Sequence, residues 1–268
     1  RRDRFVPGAV KIMQDGIAEN GTAAMTAPYL DGCGCATGNT GLSFVDPEIL
    51  REAVVLLDAE GFQVHFHAIG DRAVAESLDA VAAARAAHPD ADLRHHIAHL
   101  QLVRPEDRGR FAELGVAANM QPLWAALDEQ MTDLTLPFLD AERGGWQYPF
   151  ADLLLAGARL AAGSDWPVSS PDPVAGIHVA VNRTLYDKPG RAGSEPFLPE
   201  QALTLEQAFA AYTSGSAHVN HLDETGSLAP GMLADLAVLD RDPFTGPADE
   251  VGAARVVATY VEGERVFG

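Results

Sequence analysis

Apolar positions along the chain follow two rhythms that take turns. Short runs at residues 10–13, 62–67, 115–120 and 159–163, and one within 93–103, read as strands. Helical periodicity fills the spaces between them. Asp46-Pro47-Glu48 starts an amphipathic helix through Leu57, with Asp46 as N-cap, Pro47 at the first helical position and Gly61 closing it. Residues 71–87 are Ala-rich and helical and end before Pro89; Arg104-Pro105-Glu106-Asp107 starts another helix, and 144–158 holds a further one. Strands alternating with helices of about 10 to 16 residues imply βαβ units and a parallel sheet. The rhythm then changes. Thr204 opens a helix to Ala217, and beyond Gly226 come short strands at 235–240, 256–261 and 265–267, with a hairpin turn at Gly263-Glu264. The expected organisation is an α/β, barrel-like domain at 1–222 and a small β appendage at 223–268. Residues 21–41, rich in Gly, Thr and Ala, read as a long loop, a feature usually tied to function.

Composition narrows the classes. The 268 residues are 47% hydrophobic and 21% charged, globular values that exclude a disordered, collagen-like or coiled-coil chain. No apolar run approaches the roughly 18 residues of a membrane helix, and no secretory signal opens the chain, so a soluble, cytoplasmic protein without a membrane partner is expected. With 19 basic against 38 acidic side chains the net charge is −19, which disfavours nucleic acid as a partner. A small-molecule substrate fits better, and a homodimer is compatible with the chain. Cys33 and Cys35, the only cysteines, cannot make a four-cysteine zinc site or a disulfide framework. The only lysines are Lys11 and Lys188. Because the first residue is Arg1 and a strand-like run follows at once, the chain is expected to begin inside a larger protein.

In parallel α/β folds the active site gathers at the carboxyl ends of the strands. The polar residues there, in order, are Lys11, His67, His99, Gln121 and Asp165, types that could surround a metal. His65 and His67 share a face of one strand, a geometry suited to one cation. If 95–99 is a strand, His95, Ile97 and His99 share a face too. Each residue also has a plainer reading: a buried histidine held by Asp71, a structural histidine cluster, a turn-forming Asp165 before Trp-Pro, and a Lys11 that snorkels to water. Gln121, Trp124 and Arg183 suggest pocket-shaping, substrate-binding residues, against ordinary packing for Trp124 and a surface charge for Arg183.

Several stretches together carry a resemblance: VKIMQDG, GFQVHFHAIGDRAV, RHHIAHLQLVRPEDRGRFAELGVAANMQP, GSDWPV with DPVAGIHVAVNR, LTLEQAFAAYTSGSA and GSLAPGMLADLAVLD. In this order, over essentially the whole chain, they resemble the amidohydrolase superfamily, and within it the family of metal-dependent hydrolases that includes N-substituted formamide deformylase. The resemblance implies a distorted TIM (β/α)8 barrel, of which this chain would supply strands four to eight, with a small β-sandwich. It implies His67 at the end of strand five and His99 at the end of strand six as metal ligands. Asp165 would end strand eight, binding metal and acting as general base, and Lys11 would end strand four, where some members carry a carboxylated bridging lysine. The 98 residues from His67 to Asp165 hold roughly three further βα units of about 25 to 30 residues. That count excludes His65-Phe66-His67 as the superfamily's strand-one His-x-His pair. No upstream His-x-His is present, so that pair is expected in a portion outside this sequence.

The implied cofactor is one or two zinc ions, with iron or manganese as alternatives. The implied reaction is hydrolysis of a non-peptide C–N bond by metal-activated water, with Asp165 taking and then delivering the proton. Two rivals stand beside it: a catalytically silent or regulatory metal-binding protein lacking the His-x-His pair, and an enzyme whose substrate is a lactone or phosphoester.

Overall fold

In the computed structural model residues 6–186 and 194–268 are described, which leaves Arg1 and Lys188 outside. Five strands form one sheet in chain order: β1 (Ala9–Met13), β2 (Gln63–Ala68), β3 (His96–His99), β4 (Ala117–Met120) and β5 (Arg159–Ala162). β1 with β2 and β2 with β3 pair in parallel. Crossover helices make this possible, since parallel neighbours cannot be joined by a tight turn. The helices are α1 (Pro47–Ala59) between β1 and β2, α2 (Asp71–Ala87) between β2 and β3, and α3 (Pro105–Leu114) between β3 and β4.

Local chemistry sets these boundaries. The Asp46 carboxylate accepts the Glu48 and Ile49 amides and Pro47 fixes the first turn, so α1 begins where the sequence predicts. Its buried stripe, Leu50, Val54 and Asp58, recurs every four residues. Gly115 closes α3 in the left-handed conformation (φ 65°). Gly70 precedes α2 because the backbone of Ala24 lies against it; a Cβ there would meet the Ala24 carbonyl oxygen at 2.0 Å.

The chain divides into two compact units. One takes the chain through Ala118 with Leu134–Pro149 and Leu153–Arg159. It holds β1 to β3, α1 to α3 and the short α4 (Ala141–Gly144). The expected long loop is built into its core: Ala23, Met25 and Tyr29 pack with Ala18, Ile69, Leu102 and Leu139.

The other unit takes Asn119–Asp133, Phe150–Asp152 and Leu160–Gly268. Its helices include α6 (Pro173–Asn182), α7 (Leu205–Ala210) and α8 (Ser216–Val219), while a fifth helix, α5 (Phe150–Leu155), straddles the division. The capping box of Thr204 and Gln207 opens α7, and a π turn over 211–215 carries it into α8 where the sequence predicts one helix. α6 was not among the expected helices; Asp172 caps it through the Val174 amide and Pro173 sits at its first position. An antiparallel sheet, β6 (Leu236–Leu239), β7 (Val256–Val261) and β8 (Glu264–Phe267), ends the chain. Its hairpin turn is Glu262-Gly263, one residue earlier than expected. Both have positive φ (51° and 81°), as the favoured two-residue turn requires. Among the described residues no helix is long and apolar enough to cross a membrane.

Candidate functional site

Two histidine pairs line neighbouring strands of the first unit. The register sets His65 beside His96, and their rings lie 4.4 Å apart. One layer further along, the His67 and His99 rings lie 4.5 Å apart, edge to face. The two histidines of His65-Phe66-His67 thus share a face, as expected, yet each meets a different partner on β3.

His99 reaches His67 by a break in strand geometry. Ala98 is the residue in register with His67, so strict alternation would send the next side chain to the opposite face. His99 and Leu100 instead adopt positive φ, 81° and 53°. Such conformations cost non-glycine residues on the order of 1–3 kcal/mol each and concentrate at functional sites. The Leu100 amide donates to Ala68 O at 3.1 Å and the Leu102 amide to Ile69 O at 2.9 Å, which holds the bend.

His67 is buried and oriented from the opposite side by the end of β1. Its Nε2 lies 2.9 Å from Gly16 O and 3.4 Å from the Asp15 carboxylate. A carbonyl only accepts, so Nε2 carries a proton and donates it to Gly16 O. Asp15, fully buried, accepts the amides of Ala24 (2.9 Å), Ile69 (3.0 Å) and Gly70 (2.8 Å). Burial pushes its carboxyl up to about 7, and Glu76 adds to this, while the three amides pull the other way. Asp15 was not singled out in the sequence. The signal open to reading was its place directly after the β1 run, since a carboxyl there reaches the mouth of the sheet.

His65 has its Nε2 buried without a hydrogen-bond partner. Burial first, then His96, Lys11 and His67, hold its pKa down to about 3, so the imidazole is neutral. Lys11, expected at the end of its strand, is the third of five residues in β1; it is exposed and lies in register with His65 rather than His67.

Three expectations need correction. His95 does not share a face with His99: it points to α1, its Nδ1 accepting the Val64 amide (2.9 Å) and its Nε2 donating to Asp58 (2.9 Å). Asp71 holds no histidine; it accepts the Thr26 amide and hydroxyl. Arg183 is not a surface charge. It ends α6 fully buried, lies over the Phe150 and Phe197 rings (5.2 and 5.7 Å) and donates to Phe197 O at 2.7 Å.

The remaining candidates also belong to the second unit. Gln121 is buried with its amide on Asn119 Oδ1 (3.1 Å), and Trp124, half-buried, ends the 3-10 turn that follows. Asp165 is half-buried with φ 54°, a left-handed conformation that Asp tolerates better than most residues.

In kind, this donor set fits a borderline cation: two imidazoles face each other, one with its tautomer fixed by an outer carbonyl and carboxylate, the usual support of a metal-binding histidine. In number it is short. Among the described residues no group of three or more His, Cys, Asp or Glu is arranged to hold a metal ion.

The chain is 35% identical over 262 residues to Protein LONG AFTER FAR-RED 3 of Arabidopsis thaliana, covering 97% of this chain and 43% of that protein. It is 27% identical over 270 residues to N-substituted formamide deformylase of Arthrobacter pascens, covering 96% and 45%. An uncharacterized metal-dependent hydrolase of Pyrococcus horikoshii OT3 superposes with a TM-score of 0.77 at 29% identity, over 92% of this chain and 47% of that one. The chain therefore spans less than half the length of these relatives. A family model described as "Amidohydrolase family" matches residues 1–267, and the chain belongs to that family.

Proposed function

We propose that this chain forms part of a metal-dependent hydrolase that cleaves a non-peptide, amide-like C–N bond, with His67 and His99 holding the metal. The observation that carries the reading is the buried His67–His99 pair: two strand ends present imidazoles 4.5 Å apart, and His67 is held in one tautomer by Gly16 and Asp15. The family and the metal-dependent hydrolase among the structural relatives support it. Zinc suits two imidazoles best, with iron or manganese as substitutes. The proposed fold around the pair is the family's distorted (β/α)8 barrel, with β6 to β8 contributing to a β-sandwich.

When bound, such a cation lowers the pKa of water towards neutrality and polarises a carbonyl. Everything else falls to the protein. His67 and His99 would hold the cation, and Gly16 and Asp15 would steady the His67 ring through its Nε2. Asp165 is the proposed base that takes a proton from attacking water and returns it to the leaving nitrogen. Lys11, if carboxylated, would add an anionic ligand; Gln121 and Trp124 would border the substrate. The proposed setting is cytoplasmic.

The test is turnover by the full-length protein that contains this chain, on a panel of N-substituted amides, lactones and phosphoesters. Hydrolysis of the amides that is lost in Asp165→Asn, with unchanged far-UV circular dichroism, is the expected result. Preferred cleavage of a lactone or phosphoester would reassign the bond, and an active Asp165→Asn would remove it as the base. One observation favours a second reading, a silent or regulatory metal-binding protein: among the described residues no three His, Cys, Asp or Glu side chains are grouped to hold a metal ion. Metal bound at His67 and His99 without turnover of any substrate would establish that reading.

A further inference from the structure

Residues 29–37 form a narrow hairpin with two thiols at its tip. Leu30 and Ala36 pair across it in antiparallel fashion, and the Thr37 amide donates to Tyr29 O at 2.8 Å. At the tip the Asp31 amide donates to Cys35 O (2.8 Å) and the Gly34 amide to Asp31 O (2.9 Å). The Asp31 carboxylate accepts the amides of Cys33 and Cys35, each at 2.9 Å. Those two amides hold its carboxyl below the usual range.

The base of the hairpin is fastened to the first unit. Tyr29 is buried and donates its hydroxyl to Ala23 O (2.9 Å), the Leu30 amide donates to Phe138 O (2.9 Å), and Arg143 donates to the carbonyls of Ala27 (2.8 Å) and Pro28 (2.7 Å). Cys33 and Cys35 are both free and both exposed. The space around them is open: a Cβ placed on Gly32 or Gly34 would meet nothing within 4 Å.

We propose that Cys33 and Cys35 are a redox-active dithiol that closes a disulfide across Gly34 by exchange with a low-molecular-weight disulfide. Two residues apart, their Cα atoms lie at most about 7 Å from each other even in extended chain. Gly34, at φ 76°, turns the chain between them and shortens that span below its extended limit, towards the roughly 4.4–6.8 Å a disulfide bridges. Because four hydrogen bonds already order the tip on a fixed base, closing the ring costs little further conformational freedom.

The chemistry balances. One cysteine gives its proton to solvent and its thiolate attacks a sulfur of the small disulfide; that S–S bond breaks and one small thiolate leaves, taking up a proton. The second cysteine gives up its proton and attacks the mixed disulfide. The Cys33–Cys35 bond forms and the second small thiol leaves. Two protein thiols are oxidised and one external disulfide is reduced to two thiols. The inference is independent of the proposed hydrolase activity, since none of these residues belongs to the histidine site.

The experiment equilibrates the full chain with reduced and oxidised glutathione at a series of ratios, quenches with acid, alkylates the remaining thiols and weighs the protein. The expected product is a monomer that has lost both thiols and carries no glutathione, while Cys33→Ser and Cys35→Ser each retain one glutathione. Glutathione on both cysteines of the unaltered chain, a disulfide-linked dimer, or thiols that stay reduced where the single variants become glutathionylated would each overturn the proposal. Unchanged far-UV circular dichroism across the series shows that the product forms on the folded chain.

Discussion

Asp15 does more with one side chain than any other residue near the histidine pair. It joins the end of β1, the long loop at Ala24 and the turn after His67 through a fully buried carboxylate. Asp15→Ala would leave three buried amides without their acceptor, at about 1–3 kcal/mol for each donor that water cannot reach. We expect a loss of about 3 kcal/mol or more in urea unfolding. Loss of its support for His67 should also weaken metal binding by about 10- to 100-fold in a chelator competition. A variant of native stability and native metal affinity would contradict this role.

His65 gives the pH dependence at the same scale. Its folded pKa of about 3 lies below the ordinary 6.5, so its neutral form stabilises the fold above pH 6.5, and that contribution is lost as pH falls from 6.5 towards 3. Asp15 acts in the opposite sense: with its pKa pushed up to about 7, its contribution is full below 3.8 and lost as pH rises through 7. The two are separated by mutation. Metal-free His65→Phe should unfold with a flatter acid limb than the unaltered chain between pH 6.5 and 4, by at most about 1.4 kcal/mol per pH unit. Equal slopes would mean that His65 is not held neutral.

At the scale of elements, Asp58 plays the linking part. From the buried face of α1 it receives His88, which follows α2, at 2.8 Å, and His95, which precedes β3, at 2.9 Å. The His95 tautomer is set by the Val64 amide, so the network ties two helices and two strands with fixed donor directions. Asp58→Ala should therefore destabilise the first unit by about 3 kcal/mol, since it strands two imidazoles, one fully buried. Asp58→Asn keeps an acceptor for one histidine and should cost less. Equal losses in thermal unfolding would count against a hydrogen-bonded role.

This network marks where sequence reasoning stopped. Strand and helix alternation was legible because caps and turn residues sit where the periodicity changes, as Asp46-Pro47 and Gly61 do, whereas Gly115, read as the start of a strand, closes α3. His67 and His99 were legible as polar residues ending apolar runs. The assignment of His95 to the face of His99 failed because β3 contains only His96–His99 and leaves alternation at His99. α6 was passed over since Ile177, His178 and Val179 are buried all together, which hides a helical stripe. Arg183 could not be read at all: the two phenylalanine rings over which it lies come from residues 33 and 14 positions away.

For the molecule as a whole, the proposed chemistry lies at the carboxyl ends of the parallel strands β2 and β3. The net charge of −19 suits a site that attracts a cation from dilute solution. The most direct test is anomalous diffraction at the zinc edge from crystals of the zinc-equilibrated chain. One peak about 2.0–2.2 Å from a nitrogen of both His67 and His99 is the predicted result. A map with no peak between these two rings, or with the zinc bound by other residues, would contradict the account.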